Sequence, residues 1–180
     1  SETDGSRAEE PDSPELNISG SVSVFIGIKL LALPPGNRQI VIKGRTGTVA
    51  NYEIFISSSG AIRFRSNNTT VLSFLSLSVG EFQPVGISAS ENGPMSFFLG
   101  TPEVGIFEEE VSNFPASFNI NAEELFVGGR FGDVSPDAEI FQFSLFDGLK
   151  DFDFFKRFSS NQITNQQFLS DPEAVRVYKF

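Results

Sequence analysis

The sequence predicts an all-β fold, a sandwich of antiparallel sheets assembled from hairpins, and three observations carry that prediction. The first is the stretch Asn51 to Arg65, NYEIFISSSGAIRFR. Tyr52, Ile54 and Ile56 point one way, Ile62 and Phe64 repeat the pattern, and Ser58, Ser59 and Gly60 fall between the two runs. Alternation at period two marks a strand with one buried face, and a Ser/Gly cluster between two such runs marks a hairpin turn. The second observation is that similar runs recur along the chain between Pro, Gly and Asn turn signals. The third is length, since 180 residues make about one domain, long enough to bury roughly 70% of the unfolded surface around a single core.

In chain order, residues 1–17 read as an acidic extended N-terminal arm. Ser1 to Glu15 holds no large apolar residue, a composition that does not offset the entropy of ordering. Alone it is expected to be disordered, and to be held by something outside the domain such as a neighbouring subunit. Glu10, Asp12 and Glu15 spell E-x-D-x-x-E, but Pro11 and Pro14 remove backbone donors that a central strand needs. A retaining glycosidase requires two rigidly held carboxylates about 5 Å apart, so the triplet is read as non-catalytic.

The sandwich domain spans 18–161. Its first strand runs from about Ile18 to Leu31, with Val22, Val24, Ile26, Ile28 and Leu30 on one face; Pro34, Pro35 and Gly36 make a turn, and Arg38 to Lys43 resumes as a strand. After the Asn51–Arg65 hairpin, Thr70 to Val79 is apolar on both faces, and its second face, Leu72 and Phe74, is a candidate contact surface. Pro84 to Ser90 and Met95 to Leu99 form a further hairpin around Glu91-Asn92-Gly93-Pro94. Glu108, Glu109 and Glu110 suit a solvated edge that discourages strand pairing. Phe25, Phe98 and Phe126 face away from the side read as buried, so they either lie under a covering segment or make contacts with a partner.

Gly80-Glu81-Phe82, Ser96-Phe97-Phe98-Leu99-Gly100, Leu125-Phe126-Val127-Gly128-Gly129 and Ala138 to Phe146 together resemble the LamG and concanavalin A-like lectin-glucanase superfamily. Phe82 stands where that superfamily usually has Trp. After the closing strand comes the expected helix, with Leu149, Phe152, Phe155 and Phe158 laying one apolar stripe on it at three-residue spacing. The resemblance covers about Ile18 to Asn161 and implies a two-sheet antiparallel jelly-roll sandwich with one short helix near the C-terminus. It also implies rim loops of the kind that bind calcium or glycans. Asp133 and Asp137, in the loop RFGDVSPD, fall short of the six to eight oxygens calcium takes; Arg130 in the same loop suits a sugar hydroxyl or a partner's carboxylate.

Residues 162–180 form a C-terminal tail, whose alternating Val175, Val177 and Phe180 suit an added edge strand on its own sheet or on a neighbour's.

Composition then narrows the function. Thirteen basic against 23 acidic residues give a net charge of −10, which works against nucleic acid and against anionic membranes. No apolar run approaches the ~20 residues of a membrane helix. With no Cys and no His, thiol nucleophiles, thiolate sites and the commonest general base and zinc ligand are missing. No cofactor, metal site or catalytic residue is expected. There is no Trp, and the 21 Phe belong mostly in cores or protein interfaces.

These features favour a non-enzymatic structural protein of an oligomeric assembly, in particular a bacteriophage virion component such as a capsid decoration, head-fibre or tail-associated protein, anchored by its termini at the virion surface. Its partners would be other protein subunits, in a homo-oligomer or as capsid and tail proteins. The alternative is an extracellular or secreted lectin-like module that binds glycan in cell-surface adhesion. Arg130, Asp133, Asp137, Leu72, Phe74 and Phe180 are the candidate partner or glycan contacts.

Overall fold

A computed structural model describes residues 8–44, 50–100, 107–128, 135–159 and 173–179. In chain order the elements are β1 (Ala8–Glu10), a 3-10 turn (Pro14–Leu16), β2 (Ser21–Leu30), β3 (Arg38–Lys43), β4 (Tyr52–Ile56), β5 (Ala61–Ser66) and β6 (Thr69–Ser76). There follow β7 (Phe82–Ser90), β8 (Gly93–Gly100), β9 (Phe107–Phe114), β10 (Leu125–Val127), β11 (Ala138–Asp147), α1 (Phe152–Ser159) and β12 (Ala174–Lys179). They build two six-stranded sheets, ordered β1-β10-β3-β4-β5-β6 and β12-β11-β2-β7-β8-β9, with every neighbouring pair antiparallel. The expected two-sheet antiparallel jelly roll with one short helix near the C-terminus is what the chain adopts.

The residues that alternate inward in the sequence meet between the sheets. Val22, Val24, Ile26, Ile28 and Leu30 of β2 face Tyr52, Ile54, Ile56, Ile62 and Phe64 of β4 and β5 in one continuous core. Phe114 and Phe118 close one end, with the Phe64 ring edge-on to both at 5.4 and 6.3 Å between centroids. Turn chemistry follows the same logic. Gly60 sits at φ 82° and Asn67 and Asn68 at 44° and 65°, left-handed values that a tight hairpin imposes and that Gly and Asn tolerate best.

The outward phenylalanines are covered. Phe25, Phe98 and Phe146 form a second cluster with Phe155 of α1, so the helix seals one half of the second sheet's outer face. Phe126 packs with Ile42 and Ala50 on the outer face of the first sheet. The helical stripe differs from the expected one. Asp151 Oδ1 accepts the Phe154 N–H at 2.8 Å, an N-cap that starts the helix after Leu149, and Leu149 is left exposed. Phe154 joins Phe152 and Phe155 in the packing.

The described part of the arm is docked rather than free. β1 pairs with β10, and Leu16 is fully buried in the main core. Asp12 accepts a hydrogen bond at 2.8 Å from the Lys43 ammonium, whose side chain is fully buried. That ammonium also donates to the Asn121 carbonyl at 3.2 Å and to the Glu123 carbonyl. A composition rule applied to residues 1–15 misses this, because what orders the segment is a non-local ion pair and one leucine. The C-terminal tail takes the first of its two expected positions, as β12 on its own sheet beside β11.

The two sheets also meet at an edge, where β6 runs beside β9. Glu110 Oε2 accepts both the Ser73 hydroxyl and the Phe74 N–H at 2.6 Å. One member of the expected acidic edge is thus spent on satisfying the neighbouring strand.

Candidate functional site

Strands β3 to β6 turn a second set of side chains away from the core, and the pairing register lays them out in two rows. Gln39, Phe55, Arg63 and Leu72 stand side by side on four successive strands. The adjacent row runs Glu9, Phe126, Ile42, Glu53, Arg65 and Thr70 across all six strands of the sheet. Apolar burial dominates at the β10 and β3 side, while from β4 to β6 the face is polar and aromatic.

Its electrostatics are local. Arg65 donates to Glu53, whose side chain is fully buried, and the Arg65 guanidinium lies 4.6 Å from the centre of the Phe55 ring. That stacking fixes both the ring and the charge, since a guanidinium is attracted to an aromatic face. In the neighbouring row Gln39 is 5% exposed, and neither its Oε1 nor the buried Arg63 Nε has a hydrogen-bond partner. A buried polar group left unpaired costs roughly 1–3 kcal/mol, a cost these two atoms impose within the protein, since both are closed to solvent. The exposed border is apolar, with Leu72 44% and Phe74 89% exposed.

The arrangement does not provide glycosidase chemistry. Glu53 is the central carboxylate of the face, and the next along its row, Glu9, is three strands away, about 14 Å. Retaining and inverting glycosidases need carboxyls about 5 Å or 6.5–9.5 Å apart. Among the described residues no group of three or more acidic side chains is placed to hold a metal, and no helix is long and apolar enough to cross a membrane.

Two other surfaces are less suited to a ligand than this face. An open cleft of about 380 Å³ lies beside α1, lined in part by Ser88, Ser96, Phe98, Glu109, Lys150 and Phe152. Two of its polar groups are engaged, Ser88 Oγ donating to the Lys150 carbonyl at 2.6 Å and the Lys150 ammonium to Glu173 at 2.7 Å. At the other end of the same sheet Phe82 and Phe141 meet edge to face at 5.1 Å above Gly27.

The residues chosen from the sequence are distributed differently. Leu72 and Phe74 stand on the outer face of the edge strand β6, at the border of the polar rows. Asp137 is exposed and its backbone carbonyl accepts the Leu31 N–H at 2.8 Å; it lies at the start of β11 and away from those rows. Arg130, Asp133 and Phe180 lie outside the described residues. Gln39, Glu53, Phe55, Arg63 and Arg65 were not singled out by sequence reasoning, although four of them sit in the central hairpin. The available signal was the charge and aromatic content of its outward positions, E-x-F against R-x-R.

No family model matches the chain, so the resemblance to the LamG and concanavalin A-like superfamily has no family match behind it. No curated protein matches either. Solved structures do match. A putative carbohydrate-binding protein from Bacteroides ovatus superposes with a TM-score of 0.70 at 12% identity, over 97% of this chain and 49% of that one. The binding domain of botulinum neurotoxin serotype G gives 0.66 at 10%, over 90% and 42%. The CBM40 of the Ruminococcus gnavus IT-sialidase, solved with α2,3-sialyllactose bound, gives 0.58 at 14%, over 80% and 84%.

These likenesses show the fold alone. The chain spans about half or less of the length of the first two. They are carbohydrate-binding, sialidase-associated and toxin receptor-binding domains built as jelly-roll sandwiches, and they lend no support to a virion or capsid role.

Proposed function

We propose that this chain is a non-catalytic, lectin-like module that binds glycan on the outer face of β3 to β6 and works outside the cell or at its surface. One observation carries the reading. On a broad sheet face, the half-buried Phe55 ring is held by the Arg65 guanidinium at 4.6 Å and flanked by Arg63 on the next strand, both arginines being partly exposed. Sugars present hydroxyls that both donate and accept, together with apolar C–H patches, and such ligands are taken by a few placed polar groups around an apolar surface. Phe55 supplies the apolar surface, and the partly exposed Arg63 and Arg65 supply donors.

The kinship of fold with carbohydrate-binding domains favours this reading over the virion protein suggested by composition and termini. The Glu53 carboxylate, spent on Arg65, favours binding without cleavage.

A glycan array probed with the full chain and with Phe55→Ala tests the proposal, circular dichroism confirming that the variant folds. Retention by a defined set of glycans, lost in Phe55→Ala, is the expected result. Retention by none, or retention indifferent to Phe55, would overturn it.

A further inference from the structure

We infer that the cleft beside α1 is a second binding site, which takes a small organic cation: a protonated amine carried on an apolar or a sugar frame. It is separate from the face proposed above, because it lies on the outer side of the other sheet. Strand register sets its floor. Ser96 on β8 is paired with Ser88 on β7, and Phe98 with Glu109 on β9. Directly paired residues share a face, and Phe98 packs under α1, so all four stand on the outer side. The chain from Leu149 to Phe152, where α1 begins, forms the wall, and the cleft holds about 380 Å³, within the range of small-molecule sites.

What the cleft leaves unspent is negative. Glu109 and Asp151 are both exposed, and both line it. Glu109 makes no hydrogen bond or ion pair among the described residues, and Asp151 uses Oδ1 on the Phe154 N–H, which leaves Oδ2 for a ligand. The positive charge of Lys150 is spent elsewhere. Its ammonium bonds Glu173 at 2.7 Å and lies 5.2 and 4.9 Å from the centres of the Phe146 and Phe154 rings. Lys156 is the other cation beside the cleft, 5.9 Å from the centre of the Phe152 ring. Two carboxylates against that one ammonium leave the cleft net negative on a chain of net −10, a field that draws cations in and repels anions.

The rest of the lining selects an organic cation over a bare ion. Leu149 is 47% exposed and Pro94 is exposed as well, an apolar border that a hydrated metal ion does not use. Two carboxylates also fall short of the six to eight oxygens calcium takes. An amine uses both kinds of surface. Its ammonium donates charge-assisted hydrogen bonds to Glu109 and Asp151, while its carbon frame covers Leu149 and Pro94. The Phe152 ring attracts the charge, as it does that of Lys156. Ser96, partly exposed on the floor and without a side-chain bond among the described residues, meets a hydroxyl next to the amine.

The test is an amide NMR titration of the full chain at about pH 6, where carboxylates are ionised and amines protonated. Two matched pairs of probes serve: the trisaccharide of glucosamine against that of N-acetylglucosamine, and butylamine against butanol. The amine of at least one pair is expected to bind about fivefold or more tightly than its neutral partner, since two partly exposed ion pairs contribute about two- to fivefold each. Shifts should centre on Ser96, Phe98, Glu109 and Asp151, and the preference should shrink as salt is added. A preference in the sugar pair alone upholds the site with an amino sugar as its ligand, and one in the alkyl pair alone upholds it with an apolar amine. Combining Glu109→Gln with Asp151→Asn removes both charges while Asn still caps the helix, and this double variant should bind amine and neutral members equally. Both positions are exposed, so it is expected to fold, which circular dichroism checks.

Equal binding of amine and neutral members by the wild type, a preference that survives in the double variant, or shifts centred away from the cleft would overturn the inference. Each of these outcomes leaves the face of β3 to β6 untouched, since its own test is the dependence of glycan retention on Phe55.

Discussion

The Phe155 ring of α1 lies against the α-carbon of Gly86 on β7, so close that a Cβ built there would come within 2.8 Å of the ring. The same ring meets Phe98 at 4.8 Å and Phe25 at 6.3 Å, so the glycine forms the floor of the helix's docking site. Gly86→Ala should therefore destabilise by about 1–3 kcal/mol through overpacking, and Phe155→Ala by about 3–5 kcal/mol through loss of the buried ring. The double variant should lose less than the sum, because the methyl group added at position 86 occupies part of the space that the ring leaves. Denaturant midpoints of the four proteins measure the cycle; strict additivity would show that the two sites do not share this contact.

Asp12 and Lys43 make a pH-dependent latch for the N-terminal segment. The hydrogen bond from Lys43, joined by one from Asn17, holds the Asp12 carboxyl below the usual aspartate range. A folded-state pKa below the unfolded one contributes stability that is present above the unfolded value and lost as pH falls through the folded one. Protection factors of the residue 8–17 amides, relative to the intrinsic exchange rate at each pH, should accordingly fall below about pH 4, while the β2 and β7 amides stay protected. Asp12→Asn should show the lower protection already at neutral pH and little further change in protection on acidification. Unchanged protection of residues 8–17 across that range would show that the latch does not hold the segment.

How much of this was legible in the sequence follows from the range of each interaction. The alternation in β2, β4 and β5 is local, and it placed Val22 to Leu30, Tyr52 to Ile56 and Ile62 and Phe64 correctly in the core. Period two assigns a face but does not say what covers it, so Phe25 and Phe98 remained ambiguous until α1 was seen to lie on them. The latch joins residues 31 apart in sequence, which no composition window can register. The polar rows were hidden for a similar reason. Gln39, Phe55 and Arg63 become neighbours only through strand register, and outward charges on a hairpin are ordinarily solvent-facing.

Tyr52 lies on the core side of the same strand as Phe55, fully buried, and its hydroxyl has no hydrogen-bond partner. Burial pushes its pKa far above the ordinary tyrosine value of 10.0. The raised folded-state pKa means that stability is retained below about pH 10 and lost as pH rises, because the unfolded chain ionises first. Tyr52→Phe should stabilise by about 1 kcal/mol at neutral pH, where it removes an unsatisfied buried donor. Its advantage should widen by about pH 11, as urea midpoints at the two pH values would reveal. A destabilised Tyr52→Phe would mean that the hydroxyl is bonded after all.

Glu110 decides whether the edge of the first sheet is open. β6 is the last strand of that sheet, it carries Leu72 and Phe74 outward, and an exposed apolar edge strand is a template for pairing with another chain. Glu110 occupies that edge by accepting the Phe74 N–H and the Ser73 hydroxyl together, placing a negative charge where a second strand would dock. Glu110→Ala removes both bonds, at a cost of about 1.5 kcal/mol or more for hydrogen bonds to a charged group, and frees a backbone donor beside two exposed apolar side chains. The variant should associate with rising concentration in sedimentation experiments where the wild type does not. Adding Phe74→Lys should reverse that association, since an edge lysine blocks strand pairing by charge. If Glu110→Ala lowers stability without associating, the carboxylate serves to join β6 to β9, and edge protection rests on the twist of the strand itself.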